Sequence, residues 1–387
     1  MREQGKRAIR FTNVHVENWR NFSQVSVDLQ RRVFLVGPNA SGKSNFLDLF
    51  RFLRDIVAVG GGLREAVRRR GGVRSLRCLA ARRYSDIVIR VSIGGEDSEP
   101  LWTYSLAFSQ DNRQRPTIRE ERIAKLGSDL RARPDDEDKK DPERLTQTHL
   151  EQVNVNQPFR ELADFLGSTR YLHIVPQLIR EPDRSVGRQH DPYGGDFLEQ
   201  VAGTPAKTRD ARLRRILHAL KVAVPQLDQL ELSRDDRGTP HLRGRYAHWR
   251  PHGAWQTEEV FSDGALRLLG LLWAAQEGAG PLLLEEPELS LHPEVVRFIP
   301  QMLAQIQRRV GRQVLLSTHS TDLLQDDGIG LDEVLLLLPS SEGTEVRPAS
   351  HFREIRHLLD SGASMAHAVI PRTRPASAEQ LVFALTE

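Results

Sequence analysis

The chain has 387 residues, of which 39% are hydrophobic and 28% are charged, with a formal net charge of +3. This length suits one large domain or two lobes with separate cores. No stretch approaches the roughly 18 consecutive apolar residues of a membrane span, and the first residues are not typical of a signal peptide. The single cysteine, Cys78, excludes an internal disulfide framework and a cysteine metal site. We therefore expect a cytoplasmic protein without membrane contact.

Three runs of alternating apolar and polar residues in the first forty positions predict short strands. The third, RVFLV, leads into VGPNASGKSN, and the run SNFLDLFRFLRDIVAV then predicts an amphipathic helix. The intervening turn fits Gly-x-x-x-x-Gly-Lys-Ser at residues 37–44. Strand, spacing and helix together are specific for a phosphate-binding loop.

The backbone N–H groups of this loop and of the helix N-terminus would cradle the β- and γ-phosphates of a nucleotide. Lys43 would reach the β- and γ-phosphate oxygens, and the hydroxyl of Ser44 would bind Mg²⁺. The predicted nucleotide-binding residues of this segment are Gly37, Pro38, Asn39, Ala40, Ser41, Gly42, Lys43, Ser44 and Asn45.

Residues 61–170 are predicted as a lobe built on an antiparallel meander, from the patterns DIVIRVSI, LWTYSLAF and PTIREERIAKL. Within it, residues 131–144 are nearly all charged and include two prolines, which predicts a mobile surface loop. Eight arginines and one glutamate lie in residues 64–83, the first at Arg64 and the last at Arg83. They indicate either a solvated surface or a face that contacts DNA phosphates without sequence preference.

The strand candidate YLHIV is followed by Gln177, whose neutral side-chain oxygen could bind Mg²⁺ or the attacking water, unless it is an ordinary surface glutamine. Residues 193–250 are predicted as a largely helical insertion that returns to strand after residue 224. In FSDGALRLLG, Ser262 and Gly264 stand at a helix start, which is suited to receive phosphate. The alternative is an ordinary N-cap.

After Gly264 the chain alternates helices with apolar runs typical of parallel strands buried on both faces. In PLLLEEPELSLHP, Glu285 would hold Mg²⁺ through water and Glu286 would be the base that orients the attacking water. Glu288 either joins them or only caps the next helix. The strand of QVLLSTHS ends at His319, which could hydrogen-bond the γ-phosphate and report its presence.

This order of motifs resembles the ABC-type ATPase heads of the SMC/RecF/OLD group, and more closely the compact AAA-domain ATPases related to them. The segments NWRNF, VGPNASGKSNFLDLFRFL, FSDGALRLL and EEPELSLHP carry the resemblance. It implies an ABC-type P-loop NTPase head, an α/β fold with a mixed central sheet flanked by helices. Residues 1–60 and 171–345 would then form the ATPase core, and residues 346–387 a C-terminal helical tail.

The resemblance also implies ATP and Mg²⁺ as cofactors and an ATP-dependent homodimer closed head to head. Ser262 and Gly264 of one copy would clamp the ATP held by the other, Glu286 would activate water, and His319 would sense the γ-phosphate. The sequence Phe-Ser-Asp-Gly-Ala departs from the Leu-Ser-Gly-Gly-Gln of transporter ATPases, so Asp263 favours the SMC-like branch.

Neither a long coiled coil nor an appended nuclease domain is predicted. Any cutting activity would therefore belong to a separate effector protein, in DNA repair or phage defence, which is an inference from family analogy. The alternative is a slow ATP-dependent switch or docking platform without motor activity on DNA.

Overall fold

The computed structural model of the chain describes residues 9–80, 86–96, 99–181, 191–248 and 254–374. The β-strands are β1 (Arg10–Trp19), β2 (Phe22–Asp28), β3 (Arg32–Val36), β4 (Ile87–Gly94), β5 (Trp102–Gln110), β6 (Pro116–Lys125), β7 (Ser128–Arg133), β8 (Arg170–Leu172), β9 (Leu227–Arg234), β10 (Pro240–Tyr246), β11 (Ala254–Thr257), β12 (Leu282–Glu285), β13 (Val314–Thr318), β14 (Val334–Ser340) and β15 (Gly343–Pro348). They form three sheets.

The α-helices are α1 (Lys43–Val57), α2 (Leu63–Arg68), α3 (Val73–Leu76), α4 (Asp136–Lys140), α5 (Arg160–Gly167), α6 (Pro176–Arg180), α7 (Phe197–Gly203), α8 (Ala206–Ala223), α9 (Asp263–Gln276), α10 (Pro293–Val296), α11 (Ile299–Val310), α12 (Arg353–Asp360) and α13 (Met365–Val369). Within the described ranges, none of them is long and apolar enough to cross a membrane.

The central sheet has the strand order β15-β14-β3-β13-β12-β8. Its neighbouring strands are parallel, except that β14 and β15 pair antiparallel. Leu283, Leu315 and Leu335 point into a core shared with the first lobe, whereas Leu284 and Leu316 point into a second core on the other face. Burial on both faces explains why these strands are almost wholly apolar. The mixed central sheet expected from the sequence is confirmed.

The first lobe is an antiparallel sheet with the order β2-β1-β4-β5-β6-β7, as the meander patterns predict. Its β1 and β2 come from the first thirty residues, so the chain enters this lobe before it supplies β3 to the central sheet. The buried Gln313 joins the two sheets, since its Oε1 accepts from the Phe11 N–H (2.9 Å) and its Nε2 donates to the carbonyls of Phe11 and Gln30 (2.8 Å each).

Residues 131–144, expected as a mobile surface loop, instead contain the end of β7 and helix α4. Arg133 donates to both carboxylate oxygens of Asp138 (2.9 and 2.6 Å), and both side chains are fully buried. Asp135 and Asp138 form a capping box at the start of α4. The loop prediction is wrong here because the mixed charges, read as solvated, pair with one another and order the backbone.

The region 193–250 begins with α7 and α8, as predicted, and then forms β9 and β10, which join β11 in a three-stranded antiparallel sheet. After β15 the chain forms α12 and α13, which pack on the second core. The last part of the predicted tail, residues 375–387, lies outside the described residues.

Candidate nucleotide-binding site

The strands β3, β12 and β13 are parallel neighbours, so their carboxyl ends meet at one edge of the central sheet. The loop 37–42 follows β3, Glu285 ends β12, and Thr318 ends β13. Ligands of open α/β sheets bind at this edge. The predicted site residues of these three segments therefore lie together.

The phosphate-binding loop turns sharply into α1. Ala40 (φ 61°) and Gly42 (φ 96°) adopt left-handed backbone conformations. The buried Lys43 donates from Nζ to the carbonyls of Gly37 (3.0 Å) and Pro38 (3.1 Å). Burial lowers the pKa of Lys43, and the carboxylates at the ends of the neighbouring strands oppose this shift. The ammonium thus lies where the loop curves around it.

A polar atom at the base of the loop has no partner in the described part of the chain. The Oγ of Ser41 is buried there without a hydrogen bond. Helix α1 begins directly afterwards, and the N–H groups of a first helical turn have no intrahelical acceptor. Unused donors around a left-handed loop are the chemistry that receives phosphate oxygens, so the segment fits a nucleotide.

Ser44 and Glu285, separated by 241 residues in sequence, are in direct contact: the Ser44 hydroxyl donates to Oε1 of Glu285. The Tyr171 hydroxyl donates to the other oxygen, Oε2, of the same carboxylate. Burial, with the adjacent Glu285 charge, raises the pKa of Tyr171, so it stays a hydroxyl donor. A hydroxyl and a carboxylate oxygen are hard oxygen ligands that suit Mg²⁺.

Tyr171 and His173 are site residues that sequence reasoning missed. The Nδ1 of His173 lies 3.3 Å from the Glu285 carbonyl oxygen. Both side chains, with Ser44, line a cavity of about 570 Å³ beside the Ser44–Glu285 contact. The sequence feature that could have identified them is their position in the predicted strand YLHIV. The start of this segment lies in β8, which ends next to Glu285 because β8 pairs with β12.

Gln177 lies exposed in the first turn of α6. The 570 Å³ cavity is lined from this part of the chain by Tyr171, His173 and Tyr193, and Gln177 is not among its lining residues. A magnesium role for Gln177 stays a prediction, and His173 is the residue of this segment that contacts the Glu285 carbonyl.

Glu286 and His319 form the second pair at the sheet edge, with Oε1 and Nε2 separated by 3.2 Å. Glu286 has a left-handed backbone (φ 44°) and donates its N–H to the carbonyl of Ser317 (3.1 Å). The hydrogen bond from His319 lowers the pKa of Glu286 against the opposing effect of burial. Glu286 is therefore an ionised carboxylate, as a general base requires.

Glu288 supports the end of β13. Its Oε1 accepts from the Thr318 hydroxyl (2.6 Å) and from the His319 N–H (3.3 Å), and burial raises the pKa of Glu288. The following helix, α10, is capped by the side chain of His292, which accepts from Glu294 N–H. The suggestion that Glu288 only caps the next helix is wrong.

Ser262 is the N-cap of α9, and its Oγ accepts from the Ala265 N–H (3.2 Å). A Cβ on Gly264 would lie 2.5 Å from the Ser290 carbonyl oxygen, so glycine permits this close approach. Asp263 accepts from Arg180 (2.6 Å). The N-cap role is present, and a role for Ser262 and Gly264 at a neighbour's nucleotide stays a prediction.

Arg267, one turn into α9, lies beside the Glu286 segment and was not predicted. It lines a small cavity with Glu286 and Pro287, and its Nε is buried without a hydrogen bond in the described part of the chain. Burial lowers the pKa of Arg267, whereas the charges of Asp263 and Glu286 raise it. Arg267 thus places a cation of α9 close to the candidate base Glu286.

The arginines of residues 64–83 do not form one uniform patch. Arg68 and Arg69 both donate to the carboxylate of Glu65 (2.7 Å each), and Arg70 is buried against α1. The exposed arginines of this stretch outside these pairs are Arg64, Arg74 and Arg77. Arg82 and Arg83 lie outside the described residues.

The strand order and the constellation at the strand ends define an ABC-type P-loop NTPase head. Residues 32–325 match the family described as "AAA domain, putative AbiEii toxin, Type IV TA system", and the chain belongs to this family.

Solved structures support the fold. The chain is similar to a crystal structure of the SmcHead bound to the C-winged helix domain of ScpA, with a TM-score of 0.55 and 11% identity over 87% of this chain and 97% of that one. It is also similar to an Smc head domain with an extended coiled coil, bound to the C-terminal domain of ScpA derived from Pyrococcus furiosus. There the TM-score is 0.50, with 10% identity over 91% of this chain and 99% of the other.

A short stretch is similar to a curated protein. Over 47 residues the chain is 40% identical to endonuclease GajA of Bacillus cereus (strain VD045). The stretch covers 12% of this chain and only 8% of the endonuclease.

Proposed function

We propose that the chain is a Mg²⁺-dependent ATPase whose nucleotide lies on the loop 37–44. The contact between Ser44 and Glu285 carries this proposal, because it brings a loop hydroxyl and a strand-end carboxylate together where phosphate-loop enzymes hold their metal. These two residues would hold Mg²⁺, which neutralises phosphate charge when bound. Lys43 would exchange the carbonyls of its own loop for phosphate oxygens. The Ser41 hydroxyl, which has no hydrogen-bond partner among the described residues, fits an anion at the same place.

For hydrolysis, the ionised Glu286 would orient the attacking water and accept its proton. His319 holds this carboxylate at 3.2 Å and lies at the tip of β13, where it would face the γ-phosphate. Glu286→Gln should lower kcat by about 10²–10⁴-fold while ATP binding persists. Lys43→Ala should abolish binding itself. Turnover by Glu286→Gln at the wild-type rate would contradict the assignment.

The second helix start, at Ser262, supports a dimer. The loop 37–44 already supplies one complete cradle, and the α9 N-terminus, with Gly264 next to Ser262, offers another anion-directed end. Two copies related by a two-fold axis would each place Ser262 and Gly264 on the partner's ATP. The sites would then be composite, with every other site residue supplied by the chain that holds the loop.

Complementation tests this directly. Ser262→Asp keeps an N-cap oxygen for α9 but sets a negative charge against phosphate, and Lys43→Ala disables the loop. Each variant alone should be inactive, whereas their mixture should recover ATPase activity, because each mixed dimer holds one site with an intact loop and an intact Ser262. A mixture of Lys43→Ala with Glu286→Gln is the control and should stay inactive, since those residues act in the same chain. No recovery in the first mixture would contradict composite sites.

DNA is the proposed binding partner. The exposed arginines of residues 64–83 would bind it without sequence preference. Replacing Arg64 and Arg74 by glutamate should weaken retention on duplex DNA and reduce its salt dependence. Arg308 and Arg353 are exposed arginines elsewhere, and the same replacement there is the control. Equal retention by both variants would remove DNA from the proposal.

Two modes of action are distinguished by rate. Fast turnover stimulated by duplex DNA indicates an ATPase that powers movement on DNA. Slow turnover unaffected by DNA, with a long-lived ATP-bound dimer, indicates a switch or docking platform.

We place the protein in DNA repair or phage defence, acting with a separate effector. The family description names a toxin of a toxin–antitoxin system, and the short stretch of similarity is to an endonuclease. Both support a role in defence or in DNA metabolism. Purified chain should therefore leave DNA uncut with Mg²⁺ and ATP. Cleavage by the wild type that is lost in Glu286→Gln would contradict the separate effector.

A further inference from the structure

The turn between β1 and β2 holds the phosphate-binding loop through one side chain, Asn21. Its Nδ2 donates to the carbonyl of Ser41 (2.8 Å) and to Oγ1 of Thr344 (2.7 Å). Its Oδ1 accepts from Nδ2 of Asn45 (2.9 Å). The amide thus uses both hydrogens and its oxygen in bonds to three residues, two at the phosphate-binding loop and the start of α1 and one in β15.

Thr344 fixes the position of this amide from the other side. It is buried in β15, at the turn that follows β14, and its N–H donates to the Asn21 carbonyl (2.7 Å). Its hydroxyl receives one Nδ2 hydrogen, so the second Nδ2 hydrogen points at Ser41. The reversed amide would set Oδ1 against the Ser41 carbonyl, and two acceptors cannot bond to each other. Only one orientation satisfies the cluster.

The hydrogen bond from Asn21 to the Ser41 carbonyl determines which backbone groups the loop presents to a ligand. The peptide between Ser41 and Gly42 is planar and trans, so its N–H points opposite to its carbonyl. Because the Ser41 carbonyl faces Asn21, the Gly42 N–H faces away from Asn21. A Cβ on Gly42 would lie 2.1 Å from Nδ2 of Asn21, which shows how closely the amide packs on this peptide.

We propose that Asn21 is a positioning residue that holds the Ser41–Gly42 peptide with its N–H directed at the phosphates, and that Thr344 orients Asn21 for this task. Without the amide, rotation of the peptide would turn a carbonyl toward the anion and remove one donor from the cradle. The inference rests on the proposed binding of ATP at residues 37–44.

Asn21→Asp is the most informative variant because it is nearly isosteric yet places an acceptor against the Ser41 carbonyl and a charge near the phosphates. We expect about tenfold or greater weakening of ATP binding, measured as Kd by titration calorimetry on the full chain. KM should rise more than kcat falls, because the donor acts on bound ground state and transition state alike. Asn112→Asp, in an exposed turn, is the matched control and should bind ATP as the wild type does.

Thr344 provides a second, gentler pair of variants. Thr344→Val removes the hydroxyl and should weaken ATP binding about threefold, whereas Thr344→Ser keeps the hydroxyl and should restore wild-type Kd. The melting temperature of the nucleotide-free protein separates positioning from general stability, since a purely structural role would lower it without raising Kd.

If Asn21→Asp retains the wild-type Kd, or Thr344→Val and Thr344→Ser bind equally, the inference is wrong. Failure of the proposed function is a different result: the wild type would not bind ATP, or Lys43→Ala would bind it as well as the wild type.

Discussion

Replacing Arg70 by alanine is expected to destabilise the protein by about 3–5 kcal/mol, the range for breaking a buried charge network from one side. Arg70 donates to both oxygens of Asp48 (2.8 and 2.7 Å) and to Asp55 (3.0 Å), and its side chain is only 6% exposed. Its guanidinium also lies over the ring of Phe52, 5.2 Å from the centroid. Burial disfavours the charge, but the two aspartates outweigh it and raise the pKa of Arg70. Without it, both carboxylates on α1 lose this partner.

Arg69 is the matched control, one residue away. Its side chain is 52% exposed and pairs with Glu65 at 2.7 Å, so Arg69→Ala should cost less than about 1 kcal/mol. The assay is urea unfolding followed by circular dichroism, with free energies of unfolding compared at one pH and salt concentration. Adding Asp48→Asn to Arg70→Ala should recover part of the loss, since it removes the charge of a carboxylate that would otherwise keep, in the described part of the chain, only Arg20, at 3.8 Å, as an ion-pair partner. An equal loss of unfolding free energy in the two alanine variants would refute the distinction between the buried ion pairs of Arg70 and the surface ion pair of Arg69.

Three further outcomes are expected. Gly264→Ala should destabilise by about 1–3 kcal/mol in urea unfolding, because its Cβ would meet the Ser290 carbonyl at 2.5 Å; a neutral effect would contradict the packing. Burial raises the pKa of Glu121 to about 7, so the stability that its neutral form provides below about pH 4.5 is lost as pH rises toward 7. Glu121→Gln should therefore gain about 2 kcal/mol relative to the wild type between pH 5 and pH 8, and a constant difference would refute this. His319→Ala removes the bond that lowers the pKa of Glu286, so the acid limb of kcat/KM should move to higher pH, and an unmoved limb would contradict the pairing.

Local pattern was sufficient for the parts of the site that are local. The loop 37–44 is one continuous motif between a strand and an amphipathic helix, and both flanking elements appear where periodicity places them. Glu286 and His319 follow apolar runs whose burial on both faces implies parallel strands. Parallel strands in one sheet end at the same edge, so their proximity could be expected without coordinates.

Other contacts between distant segments could not be expected, because they depend on strand order. Tyr171 reaches Glu285 across 114 residues only because β8 pairs with β12. Asn21 and Thr344 are 323 residues apart and meet because the turn after β1 packs on the turn after β14. Periodicity identifies strands but does not order them.

Charge composition was misleading for a different reason. Residues 131–144 and Arg70 both read as solvated charge, yet each finds partners that only the folded chain supplies. A charged side chain is buried when its partner is buried with it, and composition does not reveal the partner. The exposed arginines that remain, such as Arg64 and Arg74, are those for which composition gave the correct environment.

The central claim is that ATP brings two copies together, with Ser262 of each on the other's nucleotide. Light scattering on Glu286→Gln, with and without ATP and Mg²⁺, tests it most directly because the variant binds nucleotide without consuming it. The account predicts a mass near 43.9 kDa without nucleotide and twice that mass only when ATP and Mg²⁺ are both present. A single-chain mass in ATP and Mg²⁺, with bound nucleotide verified in the same sample, would contradict it.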